Sequence, residues 1–168
     1  MTSRASNLAL VAEAPTVFVG YPWAPYDRDE YKACYRVLER KYGVTFVFAE
    51  ERLTTEYVLV KIEQLMVVAQ FCIFDLSGKN FNVGVEYGLA RGLRLETYVA
   101  FNPTLGVDEE PSDLRGLDSL RYKTLGELRD GLDRLLGSAL APEERARRER
   151  ASRAPIDREL FDEELARE

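Results

Sequence analysis

Four consecutive apolar residues, Phe71-Cys72-Ile73-Phe74, end abruptly at an acid, Asp75, and this run restricts the fold more than any other stretch. A short apolar run without polar alternation suits a central strand buried on both faces. Ser77-Gly78 follows as a turn. Asn82 then reads as an N-cap, with Val83, Tyr87 and Ala90 at helical spacing behind it. A buried strand thus delivers Asp75 at its carboxyl end, and the next helix carries Glu86 on its first turn. In an open α/β sheet, ligands bind in the crevice beyond the strand ends. The two carboxylates are expected to face one pocket there from adjacent elements.

The flanking sequence alternates in the same manner. Thr16-Val17-Phe18-Val19, closed by Gly20, is a first buried strand. Tyr21-Pro22-Trp23-Ala24-Pro25-Tyr26 follows, a loop that its prolines keep extended. Its aromatics either fold back onto their own domain or form a stacking wall for a base or sugar ring. Asp27 and Glu30 have capping-box spacing and open a helix whose stripe is Tyr31, Cys34, Tyr35, Leu38 and Tyr42, ending before Gly43. Val44 to Phe48 is a second strand, and about Thr55 to Ala69 a helix with Val58, Ile62, Leu65, Met66 and Ala69 inward. Thr97 to Phe101 is a fourth strand, Leu105 to Asp118 a polar loop, and Leu120 to Tyr122 a short edge strand. Thr124 and Glu127 open a last helix with Leu128, Leu132 and Leu135 inward. Strand–helix alternation with short linkers implies a parallel sheet wound by right-handed crossovers.

Three segments follow from this: residues 1–14 as a loose leader, 15–137 as one α/β domain, and 138–168 as a charged helical tail. In the tail, an arginine-rich mixed-charge run from Glu143 to Arg153 precedes a narrow stripe of Ile156, Leu160, Phe161 and Leu165. Such a stripe needs a prepared surface, and a second copy of the chain is expected to supply it, giving a homodimer or higher homo-oligomer.

Of the 168 residues, 46% are hydrophobic and none is histidine, and the net charge is −6. An acidic chain is a poor nucleic-acid binder, because phosphate contacts need a basic face. Without histidine, no Ser-His-Asp or Cys-His nucleophile can be assembled and no histidine can hold a metal. Cys34 and Cys72 sit in apolar patterns without metal spacing and read as buried small hydrophobes in a reducing compartment. No Walker loop and no G-x-G-x-x-G occurs, so neither a cofactor nor a metal is expected. Leu8 to Val11 is too short for a signal peptide and no long apolar span exists, so the expected location is cytoplasmic and away from membranes.

Asp75-Leu76-Ser77, then Asn82-Val83 and Glu86-Tyr87-Gly88, read as D-x-S followed by N-V-x-x-E-x-G. This pattern resembles the nucleoside 2-deoxyribosyltransferase superfamily and the related TIR-like nucleotide-binding domains, over residues 16 to 136. The resemblance implies a flavodoxin-like open parallel sheet of about five strands, order 2-1-3-4-5, with helices on both faces. It implies that the glutamate matching Glu86 is catalytic, and that an aromatic-and-proline loop lies where Tyr21 to Tyr26 stand. Two departures stand out: the transferases usually carry a further acid near Asn80, and NAD-cleaving TIR domains often carry Ser and Trp at Asn82 and Val83.

Breaking a C1′–N bond builds positive charge on the sugar, which carboxylates stabilise or attack. Glu86 near a helix N-terminus is expected to be ionised, and Asp75 at a buried strand end partly desolvated, with its pKa raised. Asp75 would hydrogen-bond the leaving base or hold the ribose hydroxyls. The plainer readings are a turn cap for Asp75 and an exposed helix residue for Glu86. Gly20, Tyr21, Pro22, Trp23, Ser77, Asn80 and Asn82 are the expected substrate-binding residues, with Ser77, Gly78 and Lys79 as phosphate contacts beside a helix start. The function expected is an N-glycosidase acting on a small-molecule nucleoside, nucleotide or NAD; the alternatives are a non-catalytic nucleotide sensor and an oligomerising adaptor.

Overall fold

A computed structural model of the chain describes residues 14–24, 26–48, 58–105 and 119–142. The leader through residue 13, the loop at 106–118 and the tail from residue 143 lie outside the described residues, as does the dimerising stripe expected in that tail. The chain divides into two units, Met1–Asp133 and Arg134–Glu168, and the sheet lies wholly in the first.

The strands are β1 (Thr16–Gly20), β2 (Thr45–Phe48), β3 (Phe71–Asp75), β4 (Thr97–Phe101) and β5 (Ser119–Arg121). The helices are α1 (Arg28–Tyr42), α2 (Val58–Val67), α3 (Phe81–Gly92) and α4 (Leu125–Ala139). All strands pair in parallel in the order β2-β1-β3-β4-β5, the flavodoxin-like arrangement. Sequence order reverses between β1 and β3, so the topological switch point, where ligands bind in such sheets, falls at their carboxyl ends. Gly20 pairs with Phe74 in that register, and Asp75 follows directly.

Local chemistry explains most boundaries. Asp27 caps α1 by accepting from the backbone N–H groups of Asp29 and Glu30, each at 3.0 Å, and the helix ends at Gly43. Thr124 Oγ1 accepts from Glu127 N at 3.2 Å at the start of α4, while the Glu127 carboxylate reaches back to Lys123 N at 2.6 Å. Strand β5 begins one residue earlier than expected, at Ser119, and leaves Tyr122 just beyond its end. The start expected for α2 near Thr55 lies outside the described residues, and α3 departs from expectation in its cap: Asn80, not Asn82, is the capping residue. Its Oδ1 accepts from Asn82 N at 3.0 Å and Val83 N at 3.3 Å. The cause is the preceding 3-10 turn, Ser77–Lys79, where Gly78 (φ 68°) and Lys79 (φ 51°) adopt left-handed backbone and turn the chain early enough to start the helix at Phe81.

Alternation along the strands divides the core between two faces. On one, Phe18, Cys72, Phe74 and Val99 pack with Ile62 and Met66 of α2 and with Val83 and Ala90 of α3. On the other, Tyr31 and Tyr35 of α1 pack against Phe46, Phe48 and Tyr21 through tilted, edge-on and stacked rings. Leu128 and Leu132 of α4 are fully buried, while Leu135 is half-buried and Leu136 buried. Cys34 and Cys72 are free thiols, and burial pushes Cys72 up to about 12. Among the described residues no helix is long and apolar enough to cross a membrane.

Candidate functional site at the carboxyl edge of the sheet

Successive strand residues point to opposite faces, and this separates the two carboxylates. Phe74 belongs to the face covered by α2 and α3. Asp75, one residue on, turns to the face of α1, where Tyr31 meets it. Glu86, on α3, stays on the first face, with its Oε2 above Gly20 and beside the Phe74 ring. The expectation that both acids face one pocket is therefore corrected: they flank the same strand ends from opposite sides.

Asp75 is fully buried and surrounded by donors. Its Oδ1 accepts from Ser77 N at 3.0 Å and from Ser77 Oγ. Its Oδ2 accepts from Tyr31 OH at 2.9 Å and from Tyr122 OH. A hydroxyl has one proton to give. Since Tyr31 spends its proton on Asp75, the 3.0 Å contact with Tyr35 is donated by Tyr35. By the same count Tyr26 donates to Tyr122, and Asn102 Nδ2 donates to Tyr26 at 3.4 Å. Two hydroxyl relays thus converge on one carboxylate. Burial raises the Asp75 pKa, and the donors from Ser77, Tyr122 and Tyr31 pull against that rise. Burial first and the Asp75 charge second push Tyr31, Tyr35 and Tyr122 upward, which keeps them protonated as donors.

The same network occupies Ser77, expected as a phosphate contact. Ser77 is fully buried; its Oγ donates to Asp75 and accepts from Asn102 N at 2.7 Å. Asn102 in turn accepts from Thr104 N at 2.9 Å and Thr104 Oγ1 at 2.7 Å. The ends of β3 and β4 are thereby tied together. Gly78 and Lys79 are exposed, Asn80 is spent on its cap, and Asn82 stands exposed at the start of α3.

Glu86 is buried like Asp75 but lacks its hydrogen-bond donors. It is the sixth residue of α3, on the second turn and not the first, and it is buried to 9% exposure, against the plainer reading of an exposed helix residue. Among the described residues it makes no hydrogen bond or ion pair. Burial alone raises its pKa, to about 7. Burial thus opposes the ionisation expected from the helix dipole, an effect confined to the first turn, beyond which Glu86 lies.

The aromatic loop divides between the two readings given for it. Tyr21 is buried, stacked on Tyr31 with centroids 4.6 Å and planes 9° apart, and set edge-on to Phe48. Its ring is core and not a wall. Pro22 is buried beside it. Trp23 is 55% exposed, and the Arg28 guanidinium sits 4.4 Å from its ring centroid. Gly20 lies beneath Glu86.

Residues 31, 102 and 122 were not expected at the site, and Tyr26 was expected only as one aromatic of the loop, not as a hydroxyl partner. Their signal was present in chemical form: a buried tyrosine hydroxyl needs a partner, and Asp75 is the acid that ends the buried strand. Among the described residues no group of three or more Cys, Asp or Glu side chains is placed to hold a metal ion.

No protein-family model matches the chain, and no curated protein matches it by sequence. Solved structures do match. A TIR domain of the activated Roq1 resistosome, which directly recognises the pathogen effector XopQ, is 12% identical, covering 80% of this chain and 78% of that one with a TM-score of 0.45. A 2-deoxyribosyltransferase from the psychrotolerant bacterium Bacillus psychrosaccharolyticus is 10% identical, covering 68% of this chain and 90% of that one with a TM-score of 0.40. Likeness this distant concerns the fold alone.

Proposed function

We propose that the chain is an N-glycosidase that cleaves or transfers the C1′–N bond of a nucleoside, nucleotide or NAD, with Glu86 as the reacting carboxylate. One observation carries this reading: a buried carboxyl without partners among the described residues, raised to about 7, stands at the topological switch point of an open parallel sheet. A structural carboxylate is normally paired, as Asp75 is. An unpaired one is available to a ligand.

In the ionised form, a Glu86 oxygen attacks C1′ and forms a glycosyl ester, while the electron pair of the C1′–N bond leaves with the base. A neutral base takes up a proton from water as it leaves, and a cationic nicotinamide leaves without one. Water or a free acceptor base then attacks C1′ and gives up a proton to solvent, the C1′–O bond to Glu86 breaks, and the carboxylate is freed. Asp75, with its lone pairs occupied, positions the turn from Ser77 to Asn80 and takes no part in the bond changes. Trp23, exposed three residues after Gly20, offers a flat face to a base or sugar ring. The D-x-S and N-V-x-x-E-x-G patterns point the same way by resemblance.

A second reading, a nucleotide-binding sensor using the same crevice, is favoured by one fact: with Asp75 turned to the other face, no carboxyl among the described residues acts on Glu86. Incubation of purified protein with NAD and a nucleoside and nucleotide panel, with product separation, tests both. Free base from wild type, absent with folded Glu86→Gln, supports the enzyme. A ligand-dependent rise in Tm without base release supports the sensor, and neither effect sinks both.

A further inference from the structure

Gly20 is not a glycine for the sake of its backbone. The described glycines with left-handed φ are Gly43 and Gly78; Gly20 is an ordinary strand residue in register with Phe74. What singles it out is the space its missing side chain leaves. A Cβ there would stand 2.6 Å from Glu86 Oε2, and 2.8 and 3.1 Å from Cδ1 and Cε1 of Phe74. We propose that Gly20 is the positioning residue of the site: the notch left in β1 is the seat of the Glu86 carboxyl. This rests on the reading of Glu86 as the reacting group, and adds what holds that group in place.

The two contacts are unequal. Phe74 is fully buried, packed against Phe18 and Tyr87 within the α2–α3 core, and cannot easily retreat. The Glu86 carboxyl is the far end of a flexible side chain. A methyl group at position 20 therefore displaces the carboxylate first. The neighbours it would leave are the Gly20 backbone on β1 and the Phe74 ring on β3. Among the described groups of β1, β3, α2 and α3, no titratable side chain acts on Glu86, neither Asp75 nor Tyr87, and neither Lys61 nor Glu63. Its protonation near neutrality thus comes from burial in the notch, and expulsion should abolish it. The position of C1′ during attack would be set by the same notch, since Oε2 rests against the strand end.

The test compares Gly20→Ala, Glu86→Ala and the double variant with wild type, without substrate. Carboxyl-carbon NMR follows Glu86, assigned by the resonance lost in Glu86→Gln. In folded Gly20→Ala the Glu86 midpoint is expected to fall by about one pH unit or more toward the ordinary glutamate range. Urea denaturation is expected to show a smaller cost for Gly20→Ala in the Glu86→Ala background, where the seat is empty. If Gly20→Ala fails to fold alone but folds with Glu86→Ala, that also supports the proposal. An unmoved midpoint overturns it, and so does an equal cost in both backgrounds, failure to fold in both included, since the space would then serve Phe74. Absence of base release alongside a shifted midpoint removes the glycosidase reading and leaves the notch standing; release with an unmoved midpoint does the reverse.

Discussion

Two carboxylates end up at the same edge of the same sheet, and they are treated in opposite ways. Asp75 receives four donors, from Ser77 N, Ser77 Oγ, Tyr31 OH and Tyr122 OH. Glu86 receives none among the described residues, and its pKa is raised by burial alone. An acid with every lone pair occupied is part of the framework; removing it strands the donors aimed at it. An acid buried without partners is a standing cost that folding by itself does not explain. On the proposed function, Asp75 belongs to the framework of the crevice and Glu86 is the residue that uses it.

The largest expected effect breaks the first half of the comparison. Asp75→Asn turns an amide N–H₂ toward hydroxyl donors and leaves at least one unsatisfied, so a loss of about 3 kcal/mol or more is expected in urea denaturation. A loss below about 1 kcal/mol would return Asp75 to the pool of available site residues.

Glu86→Gln should act in the reverse direction and depend on pH. The folded-state pKa of about 7 exceeds the ordinary 4.5, so the native protein holds the extra proton between those values. Stability associated with that proton is complete below about 4.5 and is lost as pH rises through about 7. Relative to wild type, Glu86→Gln is expected to gain steadily across that window, reaching up to about 3 kcal/mol above it. A pH-independent difference would mean that Glu86 is solvated like any surface acid.

Ser77→Ala removes a donor to Asp75 and the acceptor of the buried Asn102 N–H, with an expected loss of about 2 kcal/mol. Tyr35→Phe deletes the outermost hydroxyl of one relay and leaves Tyr31 donating to Asp75; about 1 kcal/mol is expected. Equal losses for these two variants would argue against a network centred on Asp75.

The frame of the molecule was legible because its signals are local. Apolar runs give the strands, and Asp27 and Thr124 announce helix starts through side chains that reach only two or three residues along the chain. The cap of α3 was misplaced by two residues because Asn80 and Asn82 have the same chemistry. What decides between them is the left-handed pair Gly78 and Lys79. Half of the site geometry was also legible in principle, since alternation alone puts Phe74 and Asp75 on opposite faces. The remainder depended on distant partners: Tyr31 lies 44 positions and Tyr122 47 positions from Asp75. Burial of Glu86 was hidden for a related reason, since only the approach of α3 to Gly20 on β1 creates it.

The most direct test of Glu86 as the free, poised carboxylate is a pH titration of the side-chain carboxyl carbons by NMR in wild type and Glu86→Gln. One carboxyl resonance titrating near 7, and missing from the variant, is the result expected. A Glu86 resonance with its midpoint near 4.5 would contradict the account, because the site would then hold an ordinary solvated acid.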